Sequence, residues 1–288
     1  MNMYERRTTI ENKNPTKMLQ SMLKSSSEEL NKAVKEEYGI EGLLALDGSI
    51  DPDGYKEVLG REAIEADKKL VHAAEVSFVE PSSINVQASY KQKYGITTEE
   101  EILEQWRKDK AFQKNGQIEM AVTLLLSEKL GKDFLVVRTA SFDDYINGVD
   151  NLILDRVTGE VVGAFDEVHG GGTEVQGKEQ IKKKKDKVRK IARDGGAAIK
   201  YGLKLEGGKL SRASLKGIPV FYLGLLSKEL IELEDGLDKK DSAKTDKIFK
   251  QLLVSLEEQQ QELSKIKSSP LFQSRLESFA KSLSRIAS

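Results

Sequence analysis

The hydrophobic period of this chain changes from helical to strand-like over residues 133–168, and that change limits the architectures available to it. Upstream, in GQIEMAVTLLLSEKLG, Ile118, Val122, Leu125 and Leu126 share one helical face and Gly131 is a stop signal. DFLVVRTA, VDNLILD and EVVGAFDEV then read as three short strands. SFDDYING forms the first turn between them, and Val157-Thr158-Gly159 the second. GGGTEVQG ends the sheet signal. KEQIKKKKDKVRKIARDGGAAIKYG reads as a long basic helix, interrupted at Gly195-Gly196, and KGIPVFYLGLL as a last strand. Helix, strand, strand, strand, helix, strand over about 116–226 predicts an α/β core whose sheet is covered by helices.

Helical patterns flank this core on both sides. Residues 1–112 read as a mainly helical N-terminal region. Ser25-Ser26-Ser27-Glu28 leads into one helix that Gly39 can cap, and a second runs from DPDG through about His72. SFVEPSSINVQ is expected to be a partly extended connection. ITTEEEILEQWRKDKAF opens with a threonine cap and early acids, both favourable at a helix start. Trp106, the only tryptophan, is expected to anchor packing. The core spans 113–227, and 228–288 reads as a helical hairpin broken at Ser268-Ser269-Pro270. Ile248, Leu252, Leu256, Leu263 and Ile266 form one apolar stripe there, a possible self-association surface.

Composition removes several chemistries. Without cysteine there is no disulfide framework, thiolate nucleophile or cysteine zinc site, and two histidines, His72 and His169, cannot build a polyhistidine centre. No signal peptide or spanning segment is read, so a cytoplasmic protein with no membrane partner is expected. The net charge of −1 conceals an uneven distribution: Gln176 to Lys216 holds 14 Lys or Arg against 4 Asp or Glu, leaving −11 on the rest.

Acids punctuate the central hairpin: Asp150 opens its first strand, and Asp166 and Glu167 close its second. With Gly159 in a three-residue loop, Arg156 faces Glu160 and Asp166 falls opposite Asp150; an even loop would bring Glu167 there. Opposed carboxylates destabilise a sheet unless they sit in water or a divalent cation joins them. Glu119, flanked by Ile118, Met120, Ala121 and Val122, is placed to reach the same site, or else is a solvated first-turn acid.

This order of elements, with VDNLILD…VVGAFDEV at its centre, resembles the PD-(D/E)XK nuclease core. The resemblance implies a restriction-endonuclease-like αβββαβ fold, one or two Mg²⁺ (or Mn²⁺) ions, and hydrolysis of nucleic-acid phosphodiesters. It implies metal ligation by Asp150 and by Asp166 or Glu167, with Glu119 as the auxiliary helix acid. The family's lysine, two residues after the second acid, is missing: Val168 follows Asp166, and His169 follows Glu167. His169 could orient water, or a lysine from the next helix, Lys178 or Lys182, could serve; otherwise this copy has lost catalysis. Lys182, Lys183, Lys184, Lys185, Lys187, Arg189 and Lys190 are expected to hold a phosphate backbone, DNA ahead of RNA, without reading sequence. No aromatic alternates with them, so single-strand stacking is not indicated. The absence of a G-x-x-x-x-G-K-[ST] loop argues against a P-loop nucleotidase. Two alternatives keep no hydrolysis: a nucleic-acid-binding module, and a helical scaffold.

Overall fold

The computed structural model describes residues 14–170 and 174–287. The chain begins with α1 (Pro15–Tyr38), a 3₁₀ turn (Pro52–Tyr55), α2 (Lys56–Leu59), α3 (Arg61–Val79), α4 (Ile84–Tyr94), α5 (Glu99–Phe112) and α6 (Lys114–Leu130). Strand β1 (Phe134–Arg138), a π-helical turn (Asp143–Asn147), β2 (Asn151–Asp155) and β3 (Val161–His169) follow. Then come α7 (Glu174–Arg193), β4 (Ala197–Glu206), β5 (Lys209–Ile218) and β6 (Val220–Leu225). Three helices end the described chain: α8 (Ser227–Lys239), α9 (Ser242–Leu263) and α10 (Pro270–Ala287).

A mixed four-stranded sheet, ordered β1-β2-β3-β6, lies between helices. Its first three strands form an antiparallel meander, and β6 lies parallel to β3. Every residue of β2, and β3 through Val168, is buried, which is why both strands read as continuous apolar runs. α6 is buried around its whole circumference from Gly116 to Leu126, the pattern of a central helix. It covers one face with α10, whose Phe279 stacks on Phe221 at 4.0 Å between centroids. α7 covers the opposite face, where Ile181 packs over Gly224.

Parallel strand β6 is an edge, and its backbone is met from the side at Tyr222. Gln259 of α9, only 4% exposed, accepts the Tyr222 N–H at 2.9 Å and donates to the Tyr222 carbonyl at 2.9 Å.

The central hairpin reaches its register by a different route from the predicted one. Asp155 N–H pairs with the Glu160 carbonyl, so the loop has four residues, Arg156 to Gly159, rather than three. A bulge between Ile153 and Leu154 absorbs one residue of β3 and restores the pairing of Asn151 with Phe165. The two departures cancel, and the acids arrive in the anticipated register. Gly159 has φ +75°, a Cβ there would meet the Leu205 carbonyl, and the Gly159 carbonyl accepts the Leu205 N–H at 2.9 Å.

Several helix boundaries differ as well. The serine run lies inside α1, whose start is fixed by the Asn14 cap and Pro15; Ser27 instead donates to the Leu23 carbonyl. The connection after Val79 is mostly helix α4. The basic helix stops at Arg193, and AAIKYG, read as its continuation, opens strand β4 of a two-stranded sheet. The missed signal is Gly207-Gly208, both at positive φ, between alternating segments. The C-terminal region holds three helices, and its apolar stripe is mostly spent inside the chain: Ile248, Leu252, Leu256 and Leu263 are buried in the main core. A smaller cluster, Val79, Ile102 and Leu103 with Trp106 against it, holds α3 to α5 together. Among the described residues no helix is long and apolar enough to cross a membrane.

Candidate active site

Where β2 begins and β3 ends, a cleft of about 690 Å³ opens between α6, α7 and the α3–α5 helices. Glu119, Asp150, Asp166, Glu167 and His169 all line it, as do Lys110, Asp144, Lys184 and Lys187. Residues separated by dozens of positions in sequence thus converge at one end of the sheet.

Alternation along β3 sends neighbouring acids to opposite faces. Asp166, 2% exposed, points to α7 and is held by two cations one helical turn apart, Lys184 and, at 2.5 Å, Lys187. Lys187 also donates to the Gly148 carbonyl at 2.9 Å, which ties α7 to the loop entering β2. Glu167, 6% exposed, points to α6, where its Oε1 accepts from Asn151 Nδ2 at 2.9 Å. Asn151 is held in turn by Thr123 of α6 at 3.0 Å. Asp150 Oδ2 accepts the Glu167 N–H at 2.7 Å, and the two carboxyl groups lie within hydrogen-bonding reach of each other.

Asp150 and Glu167, rather than Asp150 and Asp166, therefore share the central space. Burial pushes the Asp150 carboxyl well above the usual carboxylate range, and Glu167, Glu119, Asp144 and Asp166 push it further. Glu167 is driven up to about 7, again mainly by burial, against the hydrogen bonds from Asp150 and Asn151. Glu167 Oε2 is buried without a hydrogen-bond partner. Two close carboxylates with an unsatisfied oxygen need a shared proton or a shared cation.

Glu119 is balanced by Arg138 of β1 at 2.9 Å; burial raises its pKa and Arg138 opposes that rise. Asp144 pairs with Lys110 at 3.3 Å. Burial works against the charge on Lys184, but Asp166, then Asp150 and Glu167, raise its pKa above the ordinary lysine value. Lys184 therefore stays cationic through neutral pH. No family model matches the chain, and no curated protein or solved structure matches it significantly.

The basic helix divides by face. Lys184 and Lys187 turn to Asp166, whereas Lys185, at 2.8 Å, and Arg189 pair with Glu262 of α9. Lys182, Lys183 and Lys190 are exposed, Lys183 alongside Glu179 at 3.2 Å. The side chain of Lys178, like Gly171 and Gly172 of the glycine run, lies outside the described residues. His169 Nε2 is 3.1 Å from Ser227 Oγ at the start of α8, and burial followed by Lys114 lowers its pKa.

Sequence reading missed Arg138, Asn151 and Lys110, and it assigned Lys184 and Lys187 only to a phosphate backbone. For the two lysines a signal existed, since an i, i+3 pair shares a helix face. For Asn151, Arg138 and Lys110 the partner is set by tertiary packing alone.

The donor chemistry fits a hard divalent cation. Mg²⁺ is commonly held by one or two carboxylates, with waters and substrate oxygens completing its shell. Asp150 and Glu167 offer that pair. Among the described residues there is no group of three or more His, Cys, Asp or Glu in metal-holding geometry.

Proposed function

We propose that this chain is a metal-dependent phosphodiesterase of the PD-(D/E)XK kind, acting on nucleic acid, DNA ahead of RNA. The observation that carries the proposal is the Asp150–Glu167 pair with its orphaned Glu167 Oε2, beside a lysine-held Asp166. The sheet order, a meander with the last strand parallel to its third, is consistent with a restriction-endonuclease-like core.

In this reading Asp150 and Glu167, when deprotonated, hold Mg²⁺ or Mn²⁺. The ion supplies Lewis-acid neutralisation of phosphate charge and a more acidic water. Lys184, kept protonated by the surrounding acids, cannot abstract a proton; it stabilises negative charge on the phosphate instead. Asp166 fixes the position of Lys184 and Lys187, and Asn151 fixes Glu167. Glu119, neutralised by Arg138, is a wall of the site rather than a free ligand. His169 stands at the far edge beside Ser227, within the cleft but committed to a neighbour. The exposed Lys182, Lys183 and Lys190 would hold flanking phosphates, with strong salt dependence.

A second reading, nucleic-acid binding without hydrolysis, is favoured by one observation: both cleft lysines of α7 are already paired with Asp166. Labelled single- and double-stranded DNA incubated with Mg²⁺ or Mn²⁺ separates the two. Cleavage by the wild type that disappears in Asp150→Ala supports the hydrolase. Binding without cleavage, indifferent to metal, supports the second reading and removes the first.

A further inference from the structure

The wall of the cleft facing α7 comes from the N-terminal helices, and it is aromatic. Phe78 in the last turn of α3, Trp106 of α5 and Tyr145 of the π-helical turn all line the same cavity as the acids. Phe78 is 72% exposed, so its ring face is free to contact a ligand in the cleft. It lies 6.1 Å from Tyr145, centroid to centroid, and the Lys110 ammonium sits 4.3 Å from the centre of the Tyr145 ring. Trp106 is half-buried, with one side packed on the small α3–α5 core. The exposed amides of Gln113 and Asn115 stand on the same rim. Flat apolar rings, amides able to pair with base edges, and lysines at the floor form the set of groups that an unpaired nucleotide requires.

Resting on the phosphodiesterase reading, we infer that the substrate is an unpaired strand, and that a base next to the scissile phosphate stacks on the wall of Phe78, Trp106 and Tyr145. Two observations favour an unpaired strand over a duplex. Paired bases stack on one another and present no free face to such a wall. The acids at the floor are also recessed, Asp166 and Glu167 being nearly inaccessible, so a phosphate must enter the cleft to meet them. A second cavity of about 520 Å³ shares Lys110, Glu119, Asp144 and Tyr145 with the first and extends the groove past Arg138 to Lys24. A strand leaving the stacking wall would pass the Lys110–Asp144 pair into this second cavity.

Trp106 is the sole tryptophan, so its fluorescence reports from this wall. The probes are a twelve-nucleotide oligothymidylate, an abasic strand of equal length and charge, and a duplex of that length. Each is titrated in EDTA at fixed salt, with fluorescence and anisotropy recorded. Quenching of Trp106 by oligothymidylate is expected, with affinity about fivefold or more above both other probes. Phe78→Ala should remove about fivefold or more of that affinity while leaving the abasic strand's binding in place. Phe78 is exposed, so its truncation should leave the fold intact, which circular dichroism checks, and the wild-type quenching stands independently of the variant.

Equal affinity for all three probes, or a silent Trp106, overturns the inference. Cleavage in Mg²⁺, read separately, distinguishes the two proposals. Selective binding without cleavage keeps the stacking wall but removes the hydrolase. Cleavage of duplex and single strand alike, with Trp106 unperturbed, keeps the hydrolase and removes the wall. No binding by any probe removes the wall, and no cleavage in Mg²⁺ beside it removes the hydrolase as well.

Discussion

At the scale of single residues, the buried carboxyl pair makes the folded protein hold protons that the unfolded chain releases. Asp150 and Glu167 both have raised pKa values, so between about pH 4.5 and 7 the native state binds more protons than the unfolded state, and stability falls as pH rises. The Glu167 shift, from 4.5 to about 7, corresponds to about 3 kcal/mol lost by pH 8. Urea unfolding in EDTA should show this decline, and Glu167→Gln should flatten it, becoming more stable than wild type at pH 8 but not at pH 4. Mg²⁺ or Mn²⁺ should reverse the decline, raising the melting temperature at pH 8 and hardly at all at pH 5, where protons occupy the pair. A melting temperature indifferent to both pH and metal would count against the paired-acid site. Lys184→Ala should reduce kcat by about a hundredfold with little change in KM, as loss of a charge-stabilising group does. Steady-state kinetics on a fixed oligonucleotide checks this. The sequence made Asp150, Asp166, Glu167 and Glu119 visible as acids at strand and helix positions. Which two of them share space was not visible, because the register is the expected one and the pairing turns on the Asp150 side chain, which accepts the Glu167 N–H.

Secondary-structure elements show where pattern was sufficient and where it was not. β1, β2, β3 and β6 were legible because each is a short, dense apolar run, and α5 because Thr98 and Glu101 form a capping box. β4 was not, because Ala197 to Lys204 follows a long basic helix and its alternation is weak beside that signal. β6 shows how an edge strand can be blunted: Gln259 occupies the N–H and carbonyl of Tyr222. Gln259→Leu should leave the Tyr222 N–H and carbonyl unpaired, costing about 2–5 kcal/mol for the two groups. Urea denaturation measures the loss, and concentration-dependent light scattering should reveal edge-to-edge association. On the outer face of α7, replacing Lys182, Lys183 and Lys190 together by Ala should weaken strand binding. It should also lower the slope of log affinity against log salt by about 2 for a single strand. A salt titration that leaves the slope unchanged would place the bound strand elsewhere.

Across the whole molecule, one continuous core joins α1, Ile64 of α3, α6, the sheet and the three C-terminal helices, while the end of α3 and α5 share a small second core. Hydrogen exchange should therefore find α4, which has no buried residue, opening well before β2 and β3. The parallel pairing of Asp166 with Tyr222 brings a further consequence. β2 and β3 meet across a four-residue loop, whereas β6 must return after a helix and a whole hairpin have been traversed. Such distant pairings form late, since the intervening chain must lose its freedom before they gain anything. During refolding, the outer side of β3 therefore stays open until β6 arrives, and for that interval another molecule's strand can take its place. Recovery of native protein should fall as refolding concentration rises, with domain-swapped dimers among the products, even though the finished fold has both sides of that strand closed.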